Sequence, residues 1–108
     1  MKDPLEPERC ATMLKALSAP DRLRIIRLLR AGPKNVTEIS EALDIPPVNL
    51  THHLMVLKHA GFLIDVRHGR FIQYSLSEGM LERTAAGEMT EHLNLGCCRL
   101  EIPKPKSK

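Results

Sequence analysis

Apolar residues recur at helical spacing through the first half of the chain, and then the period changes. In "PERCATMLKALS", Cys10, Met13, Leu14 and Leu17 fall at i, i+3, i+4 and i+7, the stripe of an amphipathic helix. Pro20 suits the first turn of a second helix, "PDRLRIIRLLRAG", which Gly32 and Pro33 close. Asn35 followed by Glu38 has the spacing of a capping box ahead of a third helix, "VTEISEALD". "IPP" breaks that helix, and a fourth is predicted over residues 47–60, stopping at Gly61. In "FLIDVRHGRFIQYSL" two β-prone runs, 63–67 and 71–76, flank a turn supplied by Gly69, which predicts a hairpin. Ser77 is placed to cap a final helix over residues 78–95, where Leu81, Ala85, Met89 and Leu93 form a stripe at i+4 spacing. Gly96 then stops it, and the tail "IPKPKSK" is expected to be disordered.

This order predicts a mainly α fold with a small β-hairpin wing, α1-α2-α3-α4-β-β-α5. The tight turn between the third and fourth helices, followed by the hairpin, is a winged helix-turn-helix. On a helical wheel of residues 48–61, Leu50, Leu54, Leu57 and Gly61 share one face, with His53 beside them. Val48, His52, Met55 and His59 share the opposite face, flanked by Asn49 and Thr51. That outward face carries no acid, so it meets no repulsion from phosphates. Asn49 has the groups to pair bidentately with adenine in a major groove, and Val48 to meet a thymine methyl. Thr51 and His52 are candidates for phosphates or bases, and Pro47 and Met55 complete the predicted DNA-facing set. Arg67, His68 and Arg70 on the wing are placed to reach backbone or minor groove. The bland alternative is a core helix with a neutral outer face; the preceding helix and the following wing weigh against it.

Charge supports this picture without deciding it. The net charge is +3, mildly basic and compatible with nucleic acid. Its distribution says more: Arg22, Arg24, Arg27 and Arg30 crowd one segment, and from Ile45 to Leu76 the only acid is Asp65. A chain of 108 residues is enough for one domain, of a size that gains stability by dimerising. With aromatics at 3%, the core must rest on Leu, Ile, Val, Met and Ala. No apolar run approaches membrane-spanning length and "MKDPLEPERC" has no signal-peptide core, so a cytoplasmic location is expected. No Gly-rich phosphate loop, Cys-x-x-Cys pair or nucleophile with an evident base is present, which argues against an enzyme.

The three cysteines are Cys10, Cys97 and Cys98. In a reducing compartment they read as ligands, sensors or buried small residues rather than as a disulfide framework. His52 and His53 resemble a metal pair, but adjacent helical residues point about 100° apart and do not chelate one ion. His53 is expected to be half-buried and His52 to face outward.

Three segments, "LSAPDRLRIIRLLRAG", "EISEALDIPPVNLTHHLMVLKHAGFL" and "RHGRFIQYSL", resemble the ArsR/SmtB family of winged-helix metalloregulatory repressors. The most specific parts are Thr51-His52-His53-Leu54, the exit Ala60-Gly61-Phe62-Leu63 and the wing His68-Gly69-Arg70. The resemblance implies a homodimer, with the first and last helices at its interface, that binds a palindromic operator in double-stranded DNA and leaves it when an inducer binds. It divides the chain into a frayed N-terminus (1–7), a DNA-binding and dimerisation domain (8–95) and a Cys-Cys-containing basic tail (96–108). The chain departs from the family pattern at Pro46-Pro47, where a Ser-Gln pair is usual; this removes a hydroxyl that caps the helix and touches phosphate.

The family's Cys-x-Cys site in the third helix has no counterpart in "NVTEISEALD". Its Asp/His site on the last helix is matched only by His92, with Glu88 and Glu91 nearby. The family's dimer packs the first and last helices together, which implies that Cys10 approaches Cys97 and Cys98. Three thiolates suit a thiophilic ion such as As(III) or Sb(III) as inducer, with no obligatory cofactor. The same proximity permits a Cys10 bridge to Cys97 or Cys98, the mark of a redox or sulfur sensor. Cys10 is also readable as an inert core residue. A further alternative is a winged helix that binds no DNA and serves as an interaction module or metal carrier.

Overall fold

The computed structural model describes residues 6–83 and 90–103. Four helices come first: α1 (Pro7–Leu17), α2 (Pro20–Leu29), α3 (Val36–Leu43) and α4 (Pro47–His59). Proline sits in the first turn of α1, α2 and α4, where its missing N–H has no helical partner to lose. The capping box of α3 forms as predicted: Glu38 N–H donates to Asn35 Oδ1 at 2.8 Å, and Asn35 N–H donates to Glu38 Oε1 at 2.9 Å.

The wing is β2 (Leu63–His68) and β3 (Phe71–Leu76), antiparallel with His68 opposite Phe71, and the short β1 (Lys34–Asn35) adds to the other edge of β3. The two-residue turn opens with Gly69 at φ 59°, the backbone that a hairpin of primed type requires.

One core joins these elements. Ile25, Ile26 and Leu29 of α2, Ile39 of α3, Leu50, Leu54 and Leu57 of α4, and Phe62 and Leu63 at the start of the wing are all buried. Each such side chain stabilises the fold by about 1.5–3 kcal/mol relative to exposure. On α1 the buried residues are Cys10, Met13, Ala16 and Leu17, while Leu14 is 41% exposed. The inward face of α1 is therefore rotated toward Ala16, whose small side chain permits close approach.

The last part of the chain departs from the expected helix over residues 78–95. Instead, β4 (Leu81–Arg83), β5 (Thr90–Asn94) and β6 (Arg99–Pro103) form a second antiparallel sheet in the order β4-β5-β6. Leu81 and Leu93, read as one helical stripe, face each other across β4 and β5. Ala85 and Met89 of that stripe lie outside the described residues. Gly96, at φ 89°, turns the β5–β6 hairpin rather than stopping a helix. Leu95 N–H donates to Cys98 O at 2.9 Å, and Gly96 N–H to Asn94 Oδ1 at 2.8 Å. Ile102 and Pro103, expected in a disordered tail, belong to β6.

A Cys10–Cys97 disulfide ties this hairpin to α1 across a sequence separation of 87 residues. Closing so long a loop restricts the unfolded chain, so reduction is expected to lower the unfolding free energy by about 2–4 kcal/mol. Urea denaturation with and without dithiothreitol measures this; equal midpoints would show that the bridge contributes nothing to stability.

Candidate nucleic-acid interface and thiol cluster

The outward face of α4 is built by what its inward face buries. With Leu50, Leu54 and Leu57 in the core, Val48 (79% exposed), Met55 (53% exposed), Asn49, Thr51 and His52 stand in solvent. Pro47 occupies the first turn and is exposed. The hydroxyl of Thr51 donates to Pro47 O at 3.0 Å within the helix, so toward a ligand it offers chiefly its lone pairs. Pro46 gives α4 no side-chain cap; its carbonyl instead accepts from the N–H groups of Asn49 and Leu50, each at 3.0 Å.

Two contacts hold this helix in place. His53, half-buried as expected, lies with Nδ1 3.2 Å from Arg22 Nη1 and Nε2 3.8 Å from Asp21 Oδ2, which ties α4 to α2. The Arg22 Nε–H also donates to Ala16 O of α1, so one guanidinium spans three helices. Lys58 Nζ sits 2.9 Å from Asp65 Oδ2, which ties α4 to β2. That hydrogen bond, first among its causes, holds the Asp65 carboxyl below its usual pKa. The one acid between Ile45 and Leu76 is therefore paired with a cation of α4.

The wing carries Arg67, His68 and Arg70, all exposed. It also exposes Ile64, Val66 and Phe71, the last at 57%. The register, with His68 opposite Phe71, sets these three on one face of the hairpin. The sequence reading used Phe71 only as a strand former. Its signal was its position beside the turn, where little of the hairpin remains to cover it.

The predicted thiol set converges. The sulfurs of Cys10, Cys97 and Cys98 all lie within 4.8 Å of one another, and no other group of metal-ligating side chains is gathered in this way among the described residues. Cys97 Sγ and Cys98 Sγ are 4.0 Å apart. Cys10 is at the margin of burial, and Cys97 and Cys98 are half-buried against the core. The route differs from the one expected, since a β-hairpin rather than a last helix carries the pair to α1. His92 lies on β5 and belongs to no such ligand group, and Glu88 is outside the described residues.

A family description for bacterial regulatory proteins of the arsR type matches residues 19–65, from the start of α2 into β2. The regulator NmtR of Mycobacterium tuberculosis is 38% identical over 88 residues, 80% of this chain and 73% of that protein. The chain belongs to the ArsR family of bacterial regulatory proteins. The transcriptional repressor SdpR of Bacillus subtilis is 39% identical over 70 residues, covering 65% of this chain and 78% of SdpR. The homodimeric winged helix-turn-helix DNA-binding domain of Mb0332 from Mycobacterium bovis superposes with a TM-score of 0.63 at 28% identity, covering 65% of each chain. This ArsR-family chain is thus a winged-helix transcriptional regulator rather than an enzyme. Among the described residues, no helix is long and apolar enough to cross a membrane.

The clamp between His53 and Arg22 has a pH signature. Burial first, and then the charge of Arg22, hold the His53 pKa below 6.5, while the Asp21 carboxylate pulls the other way. The unfolded chain therefore takes up a proton at higher pH than the folded one does. The stability that neutral His53 contributes is fully present above about pH 6.5 and is lost as pH falls from there through the folded value. Imidazole proton shifts should show His53 titrating below 6.5; a midpoint above it would mean that Asp21, not burial and Arg22, governs the site.

Proposed function

We propose that this protein is a homodimeric repressor that binds a palindromic operator in double-stranded DNA and is released when a thiol-directed inducer reaches Cys10, Cys97 and Cys98. The observation that carries this reading is the convergence of three sulfurs from opposite ends of the chain within 4.8 Å. Three thiolates around one point suit a thiophilic, three-coordinate ion, and As(III) or Sb(III) is the chemical class that fits. Each thiol gives its proton to a hydroxyl of arsenite, As(OH)3, which leaves as water, so three As–O and three S–H bonds give way to three As–S bonds. In a reducing cytoplasm the thiols are kept available for it. Repression is supported by the likeness to SdpR, and dimerisation by the likeness to the Mb0332 domain.

The DNA-binding surface in this reading is Pro47, Val48, Asn49, Thr51, His52 and Met55 of α4, with Arg67, His68 and Arg70 of the wing. A second reading is favoured by the bond between Cys10 and Cys97. There, a disulfide-forming oxidant takes two electrons and two protons from these thiols, and the bridge itself is the signal. The two readings exclude each other at any one moment, because the bridge consumes two of the three ligands.

Reduced protein incubated with arsenite is expected to bind one arsenic per subunit by native mass spectrometry. C98S should abolish that binding while leaving the Cys10–Cys97 bridge able to form. If the wild type takes up no arsenic but loses operator affinity on oxidation, the redox reading replaces the metalloid one.

For the DNA surface, N49A should cost about 1–3 kcal/mol of discrimination at one base position per half-site. Fluorescence anisotropy on specific and scrambled duplexes reads this out; equal losses on both would remove Asn49 from the readers.

A further inference from the structure

Among the described residues, strand β6 has β5 as its single neighbouring strand, and its other edge faces no described strand. Such edges are templates for another strand. The hydrogen-bond pattern of the hairpin shows which groups that edge presents. Leu95 N–H donates to Cys98 O, which makes Leu95 and Cys98 a hydrogen-bonded pair. Antiparallel pairs alternate. With Leu93 opposite Leu100, Asn94 opposite Arg99 and His92 opposite Glu101, the N–H and C=O groups of Cys98 and Leu100 turn toward β5. Those of Arg99 and Glu101 turn away from it, to the open edge. Both side chains are exposed, whereas Leu100 packs against the core.

We propose that this edge pairs with the same edge of a second copy, antiparallel about a two-fold axis at Leu100, so that two three-stranded sheets join into one across the dimer. The proposal rests on the homodimer reading above and names its interface. A two-fold axis at Leu100 sets Arg99 of one subunit opposite Glu101 of the other, twice. It also lets each pair exchange two backbone hydrogen bonds, one N–H to C=O in each direction. The neighbouring registers are unfavourable. An axis at Glu101 brings the two Glu101 carboxylates together and sets Arg99 against Pro103, which has no N–H to give. An axis at Arg99 opposes two guanidiniums. Like charges directly opposite destabilise a strand pair, and opposite charges stabilise it. The interface is therefore self-complementary, as a two-fold contact must be. It also sets the thiol cluster close to the axis, since Cys98 directly precedes β6.

The experiment is a charge swap read by sedimentation equilibrium. R99E and E101R are each expected to weaken the homodimer roughly tenfold or more, because each turns two attractive pairs into two repulsive ones. An equimolar mixture of the two variants should dimerise as tightly as the wild type. In the mixed dimer both edge positions are acidic on one chain and basic on the other, so both cross-strand pairs are attractive again. Rescue within one chain cannot produce that result. Circular dichroism of each variant checks that both remain folded, and should one of them unfold, R99Q and E101Q, expected to weaken the dimer less, replace the reversal pair. A wild-type monomer would overturn both the dimer and its edge. A wild-type dimer that is indifferent to either substitution, or two weakened variants whose mixture stays weak, would overturn the edge and leave the dimer.

Discussion

The orientation of α4 is the constraint on which the rest depends. Leu50, Leu54 and Leu57 are all buried, and a helix of fixed period cannot turn them inward without turning Val48, His52 and Met55 outward. Phe62 and Leu63, buried directly after the helix ends, then fix where the wing begins. The outward face needs no packing of its own. It needs only to be presented rigidly, and the contacts of His53 with Arg22 and of Lys58 with Asp65 do this from its two sides. Both lie off the outward face and leave it free for a groove.

This part of the fold was legible because each local signal agreed with the tertiary one. Proline at three helix starts, Asn35 with Glu38, and Gly69 between β-prone runs all have one reading. The end of the chain was not legible, because its signals are degenerate. Gly96 adopts positive φ, which both a helix stop and a hairpin turn require. Leu81, Ala85, Met89 and Leu93 fit a helical stripe and are rich in helix formers, yet Leu81 and Leu93 meet as cross-strand neighbours. The competing signal was the alternation of Leu93 and Leu95, both buried, continued by Leu100 against the core. Two residues before a turn and one after it are too short a run for a period of two to stand out. Resemblance to a family with a final helix pointed the same wrong way.

The three cysteines show the reverse case, in which the expected proximity is present but arises by another route. Cys10 was expected near Cys97 and Cys98 through helix packing, and a β-hairpin brings them together instead. The difference matters for how a signal at sulfur travels. A helix packed on a helix transmits a shift through many side chains. The hairpin buries Leu93 and Leu95 in the same core as α1 and has one covalent joint to it, at Cys10.

That joint links two parts of one core. On one side, α1 buries Met13, Ala16 and Leu17 in the core that positions α4, and its carbonyl at Ala16 takes the same guanidinium that touches His53. On the other side lies the hairpin whose outer edge we assign to the dimer. On the proposed function, chemistry at Cys10, Cys97 and Cys98 acts where α1, which supports α4, meets that hairpin. A ligand shifts such an equilibrium only by the difference between its affinities for the two arrangements. In the metalloid reading, three sulfurs from two separate elements supply that difference, because a three-coordinate ion binds strongly only where all three are held together. In the proposed dimer, two half-sites at a fixed spacing along the duplex make operator affinity sensitive to the angle at that joint, which is how chemistry at sulfur would reach the DNA.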